Sequence, residues 1–133
     1  MSGYHAPPVG SRPLRVTSIG PHELRNRVLL APMAGITDAP FRAVAWAAGA
    51  GYVASEMLTT QDRLWQTPKS RLRRQWAEGI EPRVVQLAGS DPAMVADAAR
   101  RHWEEGAQII DLNFGCPAKK VCRRAAGSQL LRE

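Results

Sequence analysis

Cysteine is scarce in this 133-residue chain, which holds only Cys116 and Cys122. That excludes a disulfide framework, and in a reducing compartment both are expected as thiols. No Cys-x-x-Cys pair is present, which argues against disulfide exchange. The three histidines, His5, His22 and His102, are scattered without paired spacing, so no metal site is expected. No apolar run approaches the roughly 20 residues of a membrane span. The stretch Met1 to Pro13 has no apolar core of the signal-peptide type, so the expectation is a cytoplasmic protein. The Rossmann phosphate loop is missing as well. Ala34-Gly35-Ile36-Thr37 carries one glycine where G-x-G-x-x-G needs three. Acidic residues are the minority, 12 against 18 Lys and Arg, and the net charge of +6 favours a polyanionic partner.

What is present is ordered. Residues 1–13, with Gly3, Pro7, Pro8, Gly10 and Pro13, read as a flexible tail, and 14–133 as one folded unit. A short strand or hairpin turns at Gly20-Pro21-His22. Four apolar runs follow, Val28–Ala31, Tyr52–Ser55, Val84–Leu87 and Ile109–Asn113, and the first reads as a strand buried on both faces. Between them, Thr37 or Asp38 caps a helix whose inner face is Phe41, Val44, Ala45 and Ala48. Asp91 caps another, lined by Val95, Ala99 and Trp103 or His102. Residues 57–80 form a basic, partly helical connection broken at Pro68, and a last helix starts at Gly127. The strand starts lie 24, 32 and 25 residues apart, a βα repeat that implies a parallel sheet. A doubly wound sheet and part of a (β/α)8 barrel both fit this repeat. Polar or special residues at the strand ends, Pro32-Met33, Glu56, Gln86 and Asn113, favour the barrel, where every strand end serves one mouth. A complete barrel takes about 250 residues. The expectation is therefore an α/β fold, the N-terminal half of a TIM barrel with about four βα units, truncated.

The run Asp111-Leu112-Asn113-Phe114-Gly115-Cys116-Pro117 places a cysteine just past a strand end. A free thiol, with a pKa of roughly 8.5, is mostly protonated at neutral pH and suits a general acid, or a nucleophile once a base or cation activates it. The plainer reading is a small buried cysteine. Asn113 could present its amide to a base edge, donating and accepting at once. Gln86 suits the rim of a pocket for a heteroaromatic ring, or the satisfaction of loop backbone. The Pro32-Met33-Ala34-Gly35 turn lets backbone approach a flat ligand, or is an ordinary βα turn. Glu56 reads as a pocket residue, a salt-bridge partner or a cap. Basic residues cluster twice, at Lys69, Arg71, Arg73 and Arg74 and at Lys119, Lys120, Arg123 and Arg124.

Together these motifs resemble a known family. Asp111 to Val121, followed after five residues by Gly127-Ser128, is similar to the hallmark motif of the tRNA-dihydrouridine synthases. Leu30-Ala31-Pro32-Met33-Ala34-Gly35-Ile36-Thr37-Asp38-Ala39-Pro40-Phe41-Arg42 resembles that family's flavin-side motif. Ser55-Glu56-Met57 and Val85-Gln86-Leu87-Ala88-Gly89-Ser90 match in order and spacing, and Cys-Pro-Ala-Lys-Lys-Val most resembles the bacterial B-type branch. The resemblance implies a (β/α)8 barrel with FMN at its C-terminal mouth, reduced by NADPH. A flipped uridine of tRNA would receive hydride at C6 and a proton at C5. It further implies that Cys116 is the proton donor, that Asn113 contacts the uracil, and that the backbone of Pro32, Met33 and Ala34 with the Gln86 side chain holds the flavin ring. Lys119, Lys120 and Arg123 would meet the tRNA phosphate backbone. The family's later lysine, histidine, FMN phosphate site and helical tRNA-binding domain have no counterpart in these residues. A related flavin barrel acting on a free pyrimidine, and a non-catalytic half barrel that self-associates, are the competing expectations.

Overall fold

The computed structural model describes residues 17–132, so the tail expected over 1–13 lies outside the described residues. Strand β1 (Thr17–Ile19) pairs antiparallel with β2 (His22–Leu24), and every later pairing is parallel. Then come β3 (Leu29–Leu30), helix α1 (Ala39–Ala47), β4 (Tyr52–Val53), β5 (Leu58–Thr59), a 3-10 turn (Asp62–Leu64) and α2 (Pro68–Arg73). The chain continues through β6 (Val84–Ala88), α3 (Pro92–Glu104), β7 (Ile109–Leu112), α4 (Lys119–Cys122) and a 3-10 run (Gly127–Arg132).

The expected second strand is two segments of one path. β4 pairs with β3, and β5 pairs with β6 and through it with β7. The break at Ser55–Met57 is explained by register. Ala54 lies opposite Val84 and Leu58 opposite Leu87, so four steps on one strand face three on the other. The extra residue is a bulge. Ser55 mends it, its backbone N–H donating to the Val84 carbonyl at 3.1 Å and its Oγ accepting from Gln86 N at 3.1 Å. The four parallel paths therefore run in sequential order, without the reversal of a doubly wound sheet.

Alternation along the strands divides the core. Val85 and Leu87 pack with Leu58, Ala98 and Ala107 on the α3 side. Val84 packs on the other face with Tyr52, Ala54, Ile109 and Leu24 from the hairpin. Gln86 shares the parity of Val84, and Asp111 that of Ile109, so both point to this second face. The helices start where capping chemistry places them. Asp38, Thr67 and Asp91 accept from the backbone N–H of Phe41, Ser70 and Met94, each with proline in the first turn. Pro68 thus opens α2 and does not break a longer helix.

Three expectations are corrected. The first strand is not buried on both faces, because Val28 and Leu29 are 63% and 52% exposed at the sheet edge. In α1, Phe41 and Val44 are exposed and the inward side is Arg42, Ala45 and Trp46. Arg42 is buried because its guanidinium reaches the Gln75 carbonyl at 2.5 Å, a partner 33 residues away. On α3, His102 is buried with Ala98 while Trp103 faces out.

Candidate active site at the strand ends

Asn113 leaves the end of β7 with its backbone N–H bonded to the Leu87 carbonyl at 2.9 Å. Its Oδ1 accepts from the backbone N–H of Cys116 at 3.0 Å and of Gly115 at 3.3 Å. Two backbone donors facing that atom require it to be the oxygen. Nδ2 must then be the donor to Gln86 Oε1, at 2.9 Å, and Gln86 Nε2 the donor to Asp111 Oδ2, at 2.6 Å. The Asp111 carboxylate, which only accepts, ends the relay. Both amides are fixed in orientation from either end.

Counting the remaining capacity sharpens what these groups can do. The Asn113 oxygen already accepts two hydrogen bonds, so a single amide N–H is left for a ligand. The expectation that Asn113 donates and accepts at once is thus corrected: it donates only. Gln86, which is buried, keeps one N–H and one lone pair. Asp111 also acts on Tyr52, whose phenol is held well above its ordinary range by burial first and by the Asp111 charge second.

Cys116 is gripped through its backbone. Its N–H is bound by Asn113, and its carbonyl accepts from Ser128 N at 3.0 Å and from the Cys122 thiol at 3.6 Å. Cys122 Sγ also lies 3.5 Å from Ser128 Oγ. The Cys116 thiol is half-buried and makes no hydrogen bond among the described residues.

The Pro32-Met33-Ala34-Gly35 turn is built separately. The Met33 carbonyl accepts from Ile36 N and Thr37 N, both at 3.0 Å. The buried Thr37 hydroxyl accepts from Met33 N at 3.0 Å and donates to Met33 O at 3.2 Å. Gly35 N donates to Glu56 Oε2 at 2.7 Å, and the buried Glu56 pairs with Arg73 Nε at 3.0 Å. Of the three readings of Glu56, the structure supports the salt-bridge partner, with the added task of anchoring the turn. The Ala34 N–H has no partner among the described residues. No hydrogen bond joins Pro32, Met33 or Ala34 to the Gln86–Asn113–Cys116 relay among these residues. Lys119, Lys120 and Arg123 are in or beside α4, all three exposed, and none forms an ion pair among the described residues. Among the described residues no group of three or more His, Cys, Asp or Glu could hold a metal ion.

Sequence reasoning missed Asp111, Thr37, Ser55 and Ser128. Asp111 stands two residues before Asn113, which puts both on one face of a strand, and that period is the signal that would have found it.

A family model described as dihydrouridine synthase (Dus) matches residues 29–133, most of the chain. The chain belongs to the dihydrouridine synthase family. Among its relatives, the tRNA-dihydrouridine synthase B of Pseudomonas aeruginosa is 60% identical over 120 residues, which is 90% of this chain and 36% of that protein. That of Pseudomonas syringae pv. tomato is 58% identical over 115 residues, 86% of this chain and 34% of the relative. That of Escherichia coli K12 is 55% identical over 114 residues, again 86% of this chain and 36% of the relative. This dihydrouridine synthase chain therefore spans about a third of the length of the curated relatives it matches. Among its described residues, no helix is long and apolar enough to cross a membrane.

Proposed function

We propose that this chain is the part of a flavin-dependent tRNA uridine reductase that carries the proton donor, and that its strands are four successive βα units of a (β/α)8 barrel. The observation that carries this reading is the setting of Cys116. Its backbone is bound on both sides while its thiol has no partner among the described residues, as a group that must give up a proton to an incoming base requires.

The residues that would hold FMN fit a flat, polar ring. The Ala34 N–H, beside Pro32 and Met33, is unpaired among the described residues, and the Gln86 amide retains one donor and one acceptor in a fixed plane. FMN, recharged by NADPH, would supply hydride to C6 of the target uridine. Asn113 gives its one remaining N–H to the uracil and so orients it against the thiol. Cys116 then delivers its proton to C5, which leaves a thiolate to be reprotonated from solvent. Lys119, Lys120 and Arg123 neutralise phosphates of the tRNA backbone, which position the substrate without reading its bases.

The test places this chain in the Pseudomonas aeruginosa relative, in exchange for the matching third, with Cys116→Ala. Uridine reduction in tRNA is expected to fall by about 10²-fold or more, with flavin absorbance retained. Unchanged turnover would overturn the role of Cys116. Turnover of free uracil but not of tRNA would transfer the reading to a free-pyrimidine reductase.

A further inference from the structure

The two basic clusters of the sequence meet at one cavity. A cleft of about 420 Å³ opens beyond the ends of β5 and β6, between α2, the start of α3 and α4. Its volume lies in the range of ligand sites. Lys69 comes to it from the first cluster, and Lys120 and Arg124 come from the second. None of these three forms an ion pair among the described residues. The other charges at the cleft are already engaged. Arg73 is paired with Glu56, and the Asp91 carboxylate caps α3 by accepting from Met94 N at 2.9 Å. Ser90 Oγ donates to the Arg124 carbonyl at 2.9 Å, which ties α4 to the loop after β6 and holds the cleft wall. Leu58, Leu64, Met94 and Val121 give the cleft apolar surface, beside the polar side chains of Thr60, Gln61 and Ser70.

Unpaired cations beside apolar side chains are the two halves of a nucleotide site, the cations for phosphate and the apolar side chains for a base. Resting on the reading that the substrate is tRNA, we propose that this cleft holds a second nucleotide of the RNA, apart from the one presented to Cys116. Lys69, Lys120 and Arg124 take its flanking phosphates. Lys120 and Val121 follow Cys116 by four and five residues, so one side of the cleft is built by the chain that leaves the reacting thiol. A strand that runs from the thiol to the cleft is then gripped at two points, which fixes where along it the target base falls.

The test is binding of an unmodified tRNA transcript to the full chain between 50 and 200 mM salt, a range in which phosphate contacts are read as a slope of about 0.7–0.9 in log affinity per contact. The double variant Lys69→Gln/Arg124→Gln is expected to lower that slope by about 1.5. Arg100→Gln, an exposed change on α3, leaves it unchanged. Met94→Trp, which narrows the cleft and removes no charge, weakens binding at every salt concentration with the slope retained. An unaltered slope in the double variant, or full affinity in Met94→Trp, overturns the second nucleotide site while the catalytic reading stands. Failure of the parent chain to bind tRNA overturns the second nucleotide site, and the catalytic reading is decided separately by the Cys116→Ala exchange in the Pseudomonas aeruginosa relative.

Discussion

The imidazole of His102 lies against Trp65, ring centroids 4.6 Å apart, and neither of its nitrogens has a hydrogen-bond partner among the described residues. Glu105 comes no closer than 3.8 Å, and the Arg74 guanidinium adds like charge. Burial first, and Arg74 second, push its pKa down to about 4. An unfolded histidine titrates near 6.5. Above that value both states are neutral, and the group adds no pH dependence. As pH falls from about 6.5 to about 4, the unfolded chain takes up a proton that the folded one refuses, so stability declines across that window. The expected outcome for His102→Phe is stability at pH 7 within about 1 kcal/mol of the parent, because no hydrogen bond is lost. The variant's urea midpoint should fall less between pH 6.5 and pH 4. Equal slopes in the two proteins would show that His102 is protonated in the fold. At this same scale the relay of Asp111, Gln86, Asn113 and Cys116 shows what one sequence can disclose. Cys116, Asn113 and Gln86 stand in local runs that announce a strand end. The two-residue spacing puts Asp111 on the face of Asn113, but its bond to Gln86 depends on β6–β7 register, which brings together positions 25 residues apart.

At the scale of elements, the turn from α4 into the last 3-10 run is a brace for Cys116. Gly127 has φ of +65°, and a Cβ there would lie 2.5 Å from the Cys116 carbonyl oxygen and 3.2 Å from its Cβ. Only glycine meets both demands, because the conformation is costly for other residues and the contact is with backbone that is itself bonded to Ser128. Gly127→Ala is expected to cost about 1–2 kcal/mol for the left-handed conformation alone. It should also displace the Cys116 backbone, read as faster alkylation or altered nuclear magnetic resonance shifts of the thiol-bearing residue. A variant with parent-like stability and an unmoved Cys116 would remove the brace from the account. Other elements were legible for reasons that are local. Asp38 and Asp91 announce helices because a cap and a following proline act within one turn. The inward face of α1 was not legible, since the periodic apolar residues point outward and Arg42 turns inward toward a carbonyl supplied by the segment after α2. β5 was hidden for a related reason: a two-residue strand beyond a bulge has no periodicity of its own, and only its pairing with Leu87 and Ala88 defines it.

For the whole molecule, the parallel sheet ends in two edges that carry apolar side chains. Beside β3, Val28, Leu29, Ile36 and Val44 are exposed, and beyond β7 so are Leu112, Phe114 and Leu131. Such edges combine unpaired backbone groups with apolar surface, the two features that drive strand-to-strand association. In proteins as long as the relatives, further βα units would cover both edges if the barrel closes. The isolated chain has only another copy of itself to serve that purpose. Its sedimentation coefficient is therefore expected to rise with concentration in the micromolar range. Charged replacements at the two edges, Leu29→Lys with Leu131→Lys, should return it toward the monomer without altering far-ultraviolet circular dichroism. The basic cleft offers an internal control, since Lys69 and Arg124 lie at neither edge and stay accessible when the edges associate. A chain that remains monomeric at high concentration would mean that the exposed edges are protected by their own short length, as β3 with two residues already suggests at one of them.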